Sequence, residues 1–289
     1  MTVSDMHTRA MLVSLRISAW SARKYDRKIS AETAAAHGAT IDAGRYNKHL
    51  MPADAKSYKE LTSHIASTRV RHYEQTLAWS DDGWRLLPVR NYDKYTDTLR
   101  KDQHTFDALL HTFLADYPTL RESARVMLNG MYQESDYPRN LGDRYSFGIE
   151  FNPVPTGGDF RVSLSQEEIT AISARTEERV KQAFADAQQD AVKRLFDVVR
   201  KMHAKLMEPD AIFRDSLITN VRETVDVLSR LNLADDPELE RLRRETELLA
   251  TVSEPETLRK NQDVRIETAN RAQSILDAMN ATYGSTMFA

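Results

Sequence analysis

Apolar side chains recur along residues 165–207 at Ile169, Ile172, Val180, Phe184, Ala187, Ala191, Leu195, Val198, Met202 and Leu206, with Thr176 in the one polar slot. Steps of three and four keep them on one face, which predicts a single amphipathic helix. Ser165-Gln166-Glu167-Glu168 opens it as a capping box and Pro209 ends it. On the polar side, Glu177–Lys181, Asp190–Arg194 and Asp197–Lys201 stand four apart with the acid first, the favourable order. At about 1.5 Å per residue such a helix is on the order of 60 Å long. It must lie lengthwise against other helices, of this chain or of another, in contact of the bundle or coiled-coil kind. The apolar steps average about 3.7 residues, which suits a nearly straight helix in an antiparallel bundle.

Helical spacing also predicts shorter helices near 30–36 (N-capped by Ser30), 53–73, 91–116, 118–133, 211–231, 237–251 and 255–283. Period-two alternation marks strands instead. Met11, Val13, Leu15 and Ile17 form one; Tyr145, Phe147, Ile149 and Phe151 form a second; Phe160, Val162 and Leu164 form a third, joined to the second by the Pro/Gly loop 152–159. Asp82-Gly83, flanked by Trp79 and Trp84, reads as the turn of a miniature hairpin. The expected fold is mainly α: an elongated antiparallel helical bundle with one very long helix and a small antiparallel β-hairpin or sheet. Its expected domains are 1–164, mixed helical with strands near 11–17, 144–151 and 158–164, and 165–289, the long-helix bundle.

The chain has 289 residues, 41% hydrophobic and 29% charged, enough to bury a real core. Its formal net charge of −3 gives no global attraction to nucleic acid or anionic membrane, but residues 1–100 hold 16 Lys+Arg against 11 Asp+Glu. The absence of cysteine removes disulfides, thiolate metal sites and cysteine nucleophiles together, and fits a reducing cytoplasm. The apolar stretch 11–15 is too short for a signal peptide, and no run approaches the ~20 apolar residues of a membrane span.

Enzyme chemistry finds little to attach to. Phosphate loops, dinucleotide fingerprints, zinc-protease motifs and nucleophile elbows do not occur, and no cofactor is implied. His104, Asp107 and His111 share one helix face as a partial metal-site pattern, but three polar residues opposite Phe106, Leu110, Phe113 and Tyr117 are also what any amphipathic helix shows. A nucleic-acid reading rests on the basic residues Arg23, Lys24, Arg27, Lys28, Arg69 and Arg71, with Trp79 and Trp84 as stacking surfaces. Tryptophans beside a tight turn equally serve to lock a loop onto a core.

Several short segments together resemble a known family: Ile17-Ser18-Ala19-Trp20-Ser21-Ala22-Arg23-Lys24, Thr76-Leu77-Ala78-Trp79 with Gly83 to Leu87, Asp136-Tyr137-Pro138, and Phe151-Asn152-Pro153-Val154-Pro155 leading to Asp159-Phe160-Arg161-Val162. The resemblance is to an uncharacterised tailed-phage and bacterial domain family, often encoded near MoxR-like AAA+ ATPases and von Willebrand A-type proteins. It implies a partner-dependent role and carries over no catalytic residues. The reading is therefore a non-enzymatic helical interaction or assembly protein of phage type. It is expected to act through self-association or by docking a partner protein such as an AAA+ ATPase. Phe184, Leu195, Val198, Met202 and Leu206 on the long helix, with Trp79 and Trp84, are the expected contact residues. Single-stranded nucleic-acid binding is the alternative, and an enzyme whose site is not legible in the sequence is a third.

Overall fold

The computed structural model describes residues 7–79, 83–157, 165–208, 214–252 and 254–284. It is mainly helical with a small antiparallel sheet. Two compact units interleave along the chain. The first comprises 1–14, 72–95 and 150–289; the second comprises 15–71 and 96–149. A cut between 164 and 165 does not coincide with this division, because the first unit draws early segments of the chain onto its C-terminal helices.

In the first unit, the long helix α4 (Gln166–Met207) is capped as its sequence requires: Ser165 Oγ accepts from Glu168 N at 3.2 Å, and Glu168 Oε2 accepts from Ser165 N at 3.1 Å. The helix packs along α8 (Gln262–Tyr283) and α5 (Ser216–Leu231), and α6 (Pro237–Val252) closes on both. Strand β4 (Leu77–Ala78) touches α4 and pairs antiparallel with β5 (Arg85–Pro88), which pairs in turn with the first half of β1 (Ala10–Ser18) in the register Ala10↔Pro88 to Val13↔Arg85. Leu12, Leu77 and Leu86 thereby enter the same core as Val180, Leu195 and Met202. One close approach favours a glycine. A Cβ on Gly157 would lie 3.1 Å from Ser173 Cβ on α4, where Ser173 Oγ donates to the Gly157 carbonyl at 2.5 Å.

In the second unit, α2 (Lys56–Glu74) supplies Leu61 and Ile65, and α3 (Tyr92–Leu128) supplies Phe106, Phe113 and Ala124 to a separate core. A two-stranded ribbon of β2 (Arg23–Tyr25) and β3 (Asn47–His49) brackets α1 (Arg27–Ala36). The last strand, β6 (Ser146–Pro153), lies beside β1 in the sheet order β4-β5-β1-β6. Its expected hairpin partner at 158–164 falls outside the described residues.

Three local expectations change. The segments 91–116 and 118–133 form one helix to Leu128 with Pro118 inside it. Proline removes one N–H, but Phe113, Tyr117 and Leu120 on either side pack on the second core and carry the helix through. Ser30 is buried inside α1 rather than capping it; Asp26 caps, accepting from Ile29 N at 3.1 Å, while Ser30 Oγ bonds Asp26 O and Tyr46 N. The 255–283 segment breaks into α7 (Pro255–Lys260) and α8, because Asn261 turns extended and its side chain caps the Asp263 and Val264 amides.

Candidate functional site

The long-helix stripe is enclosed by its own unit. Phe184, Leu195, Met202 and Leu206 are all buried in the first core, under residues such as Val225, Leu228, Ala272 and Ile275. The expected contact face is therefore a core face, because α5 and α8 supply the cover that another chain was expected to give. Val198 alone is half-buried. It lies in a groove of ≈530 Å³ with Tyr73, Arg194, Lys201, Glu223 and Val227, whose cations and carboxylates are intermingled. Trp79 and Trp84 are part-buried against the same core. They flank the β4–β5 hairpin, where Gly83 takes φ +88°; residues 80–82, including Asp82 of the expected turn, lie outside the described residues.

The basic candidates separate into two groups. Arg69 donates to Ile17 O at 2.8 Å, and Arg71 makes a two-pronged pair with the buried Asp102 at 2.5 and 3.0 Å; both are structural within the second unit. Arg23, Lys24, Arg27 and Lys28 remain on the surface, Lys28 in a loose 3.9 Å pair with Glu32. The β2–β3 register pairs Arg23 with His49 and Tyr25 with Asn47. Pleat alternation puts these four on one face of the ribbon, and all four are exposed. Arg45 sits over the Tyr25 ring at 5.3 Å, and Tyr46 beside it is exposed.

The ribbon's other face holds Lys48, 2% exposed, with its ammonium 2.6 Å from Asp136, 3.4 Å from Asp26 and 2.9 Å from the Met131 carbonyl. Burial pushes the Lys48 pKa down, but the two carboxylates outweigh it and hold the ammonium charged. This clamp fixes the ribbon to the 129–137 segment, where Tyr132 and Tyr137 stack at 5.2 Å and Arg125 lies over Tyr132. The spacing Arg23-x-Tyr25 and Asn47-x-His49 is the sequence signal for the ribbon, but strands of three residues are too short for periodicity to reveal.

His104, Asp107 and His111 are all exposed on α3, and among the described residues no group of three metal-ligating side chains converges. The buried titratable cluster lies elsewhere, at the end of α2 in the first unit. His72 Nδ1 is 2.8 Å from Tyr95 Oη, and Thr76 Oγ1 donates to His72 O at 2.6 Å. Arg85 Nε donates to Thr76 Oγ1 at 2.7 Å and stacks over Tyr73, while Arg194 donates to the Glu74 and Thr76 carbonyls at 2.8 and 2.9 Å. These guanidinium groups satisfy the carbonyls that a helix C-terminus leaves unpaired, and their charge suits the negative end of the dipole. The cluster is a capping device.

Burial, helped by the positive charge of Arg85, pushes the His72 pKa down to about 4. The unfolded chain then binds a proton below about pH 6.5 that the folded chain refuses until about pH 4, so stability falls as pH drops through that window. The expected loss is about 3 kcal/mol. In urea unfolding at pH 7 and pH 4, His72→Asn removes this increment. Equal pH dependence in the two proteins overturns the assignment.

Among the described residues no helix is long and apolar enough to cross a membrane. Comparison with protein-family models, with curated proteins and with solved structures finds no match to this chain.

Proposed function

We propose that this chain is a non-enzymatic interaction protein whose contact surface is the basic ribbon of the second unit, and that its partner is single-stranded nucleic acid. One observation carries the reading: Arg23, Tyr25, Asn47 and His49 stand exposed on one ribbon face, with Arg45 over Tyr25 and the exposed Arg27 and Lys28 following in the chain, while Lys24 is exposed on the opposite face beside Lys48. Six Lys and Arg against three Asp and Glu over residues 21–50 make this the basic part of an otherwise slightly acidic chain. Cations that track a phosphate backbone, interleaved with exposed aromatic rings on which bases stack, are what sequence-tolerant single-strand binding needs. The burial of the α4 stripe turns attention from self-association through that helix to this surface.

Fluorescence anisotropy with a labelled oligothymidylate is expected to report binding at low salt. A four-cation contact weakens with a log–log salt slope of about −3. The fourfold variant Arg23→Ala, Arg27→Ala, Lys28→Ala, Arg45→Ala is expected to lose binding while its thermal melt stays unchanged, since these side chains are exposed. No anisotropy change at low salt, or a variant that binds as the wild type does, overturns the proposal.

A further inference from the structure

Three arginines from separate stretches of the first unit line one concave site of ≈300 Å³: Arg9 ahead of β1, Arg90 in the turn after β5, and Arg230 in the last turn of α5. Guanidinium groups repel at close range, so their convergence requires anions among them. Two carboxylates are present. Asp226 takes both Arg230 Nη1 and Nη2, at 3.0 and 2.8 Å, and is also 2.7 Å from Lys94 Nζ. Arg230 Nε donates further to Asn91 Oδ1 at 2.9 Å, so this guanidinium is held on three sides.

Asp235 serves the other two. It accepts from Arg9 Nη1 at 2.5 Å and from Arg90 Nη1 at 2.6 Å, and Arg9 Nη1 also reaches the Leu233 carbonyl at 3.1 Å. Arg9 and Arg90 thus share the one carboxylate of Asp235, and Arg230 shares that of Asp226 with Lys94, so the three pocket-lining arginines are paired with fewer carboxylates than cations.

The two ion-pair groups differ in how firmly they are held. The difference lies in the arginines: Arg230 is 19% exposed against 38% for Arg9 and 61% for Arg90, while the carboxylates Asp226 (53%) and Asp235 (44%) are both open to solvent. Exposed pairs contribute little, so breaking the Asp235 pairs costs little. Asp235 also comes from a loop rather than a helix. It stands at φ +52°, a left-handed conformation that aspartate tolerates, in a turn closed by the Asn232 carboxamide, which bonds Asp236 N and O at 2.9 Å each. Its carboxylate bridges two guanidinium groups as one edge of a phosphate does, and planar guanidinium groups suit such oxyanions.

We propose that this pocket binds a phosphate-class oxyanion. Arg9 and Arg90 contact it, Arg230 supplies fixed positive charge behind them, and Asp235 is the internal anion that it displaces. The volume is at the small end for ligand sites, which fits inorganic phosphate, pyrophosphate or a single phosphomonoester group. The site is independent of the ribbon and its proposed partner.

Isothermal titration of the full chain at low salt with inorganic phosphate, pyrophosphate and phosphoserine tests it. The wild type is expected to bind phosphate. Asp235→Asn, which removes the competing charge, is expected to bind about tenfold tighter. Arg90→Gln and Arg9→Gln are each expected to weaken binding by about tenfold or more, whereas Lys181→Gln, an exposed cation on α4, leaves it unchanged. Phosphoserine binding tighter than phosphate marks an ester ligand, and the reverse order marks a free ion. Circular dichroism melts establish that each variant is folded. No binding by either the wild type or folded Asp235→Asn overturns the proposal, as does Arg90→Gln binding like the wild type.

Discussion

Leu195→Ala is expected to lower the melting temperature of the first unit by about 10 °C, corresponding to about 3 kcal/mol for a unit of this size. Leu195 is 0% exposed, in the core that α4 shares with α5 and α8. Truncation removes three carbons from a packed interior that relaxes only partly, so the lost transfer energy and the residual cavity add. The same substitution discriminates between two uses of the α4 stripe. A residue in the chain's own core changes unfolding and leaves molecular mass in solution unaltered. A residue in a seam between copies changes the mass and makes the melt depend on protein concentration. Thermal denaturation of wild type and variant at two concentrations, with light scattering, separates the cases. A variant that melts within about 1 °C of wild type but shifts in mass would return the stripe to an intermolecular role.

Asp136→Ala is expected to destabilise the second unit by about 3 kcal/mol. It leaves Lys48, 2% exposed, with only Asp26 at 3.4 Å and the Met131 carbonyl at 2.9 Å. An ammonium taken from water and then stripped of its nearest carboxylate costs far more than the intact pair contributes. Lys48→Met in the same background is expected to recover most of the loss, because it removes the stranded charge while keeping the length of the side chain. Trp20 packs on the second core and Trp79 and Trp84 on the first, so single-tryptophan versions report each unit's denaturant transition separately. An Asp136→Ala cost below about 1 kcal/mol, or no recovery on adding Lys48→Met, contradicts the clamp as described.

What the sequence made legible is what repeats often enough to be read. Twelve buried positions recur along α4 behind a capping box, so its start, its end at Met207 and its apolar face follow from spacing alone. The strand at 10–18 was legible in its second half, where Leu15 and Ile17 alternate with exposed Arg16 and Ser18. In its first half, Leu12, Val13 and Ser14 are all buried, and burial on both faces erases the alternation. What covers the stripe was not legible, because an apolar face has the same pattern whether its cover comes from residue 275 or from another molecule. The binding surfaces were harder still. Arg69 and Arg71 look like Arg23 and Arg27 in sequence, yet a carbonyl and a buried carboxylate hold the first two within the fold. The arginine pocket gathers residues 9, 90 and 230, a separation that no local pattern encodes.

The interleaving of the two units bears on how this chain can be made and cut. The segment that becomes the first half of β1 is synthesised well before the helices it packs against, which lie in residues 150–289. Residues 10–14 must wait, unsheltered, until that later segment has been made. A fragment expressed from residue 165 onward would lack Leu12, Leu77 and Leu86, and would expose the patch of core that they close.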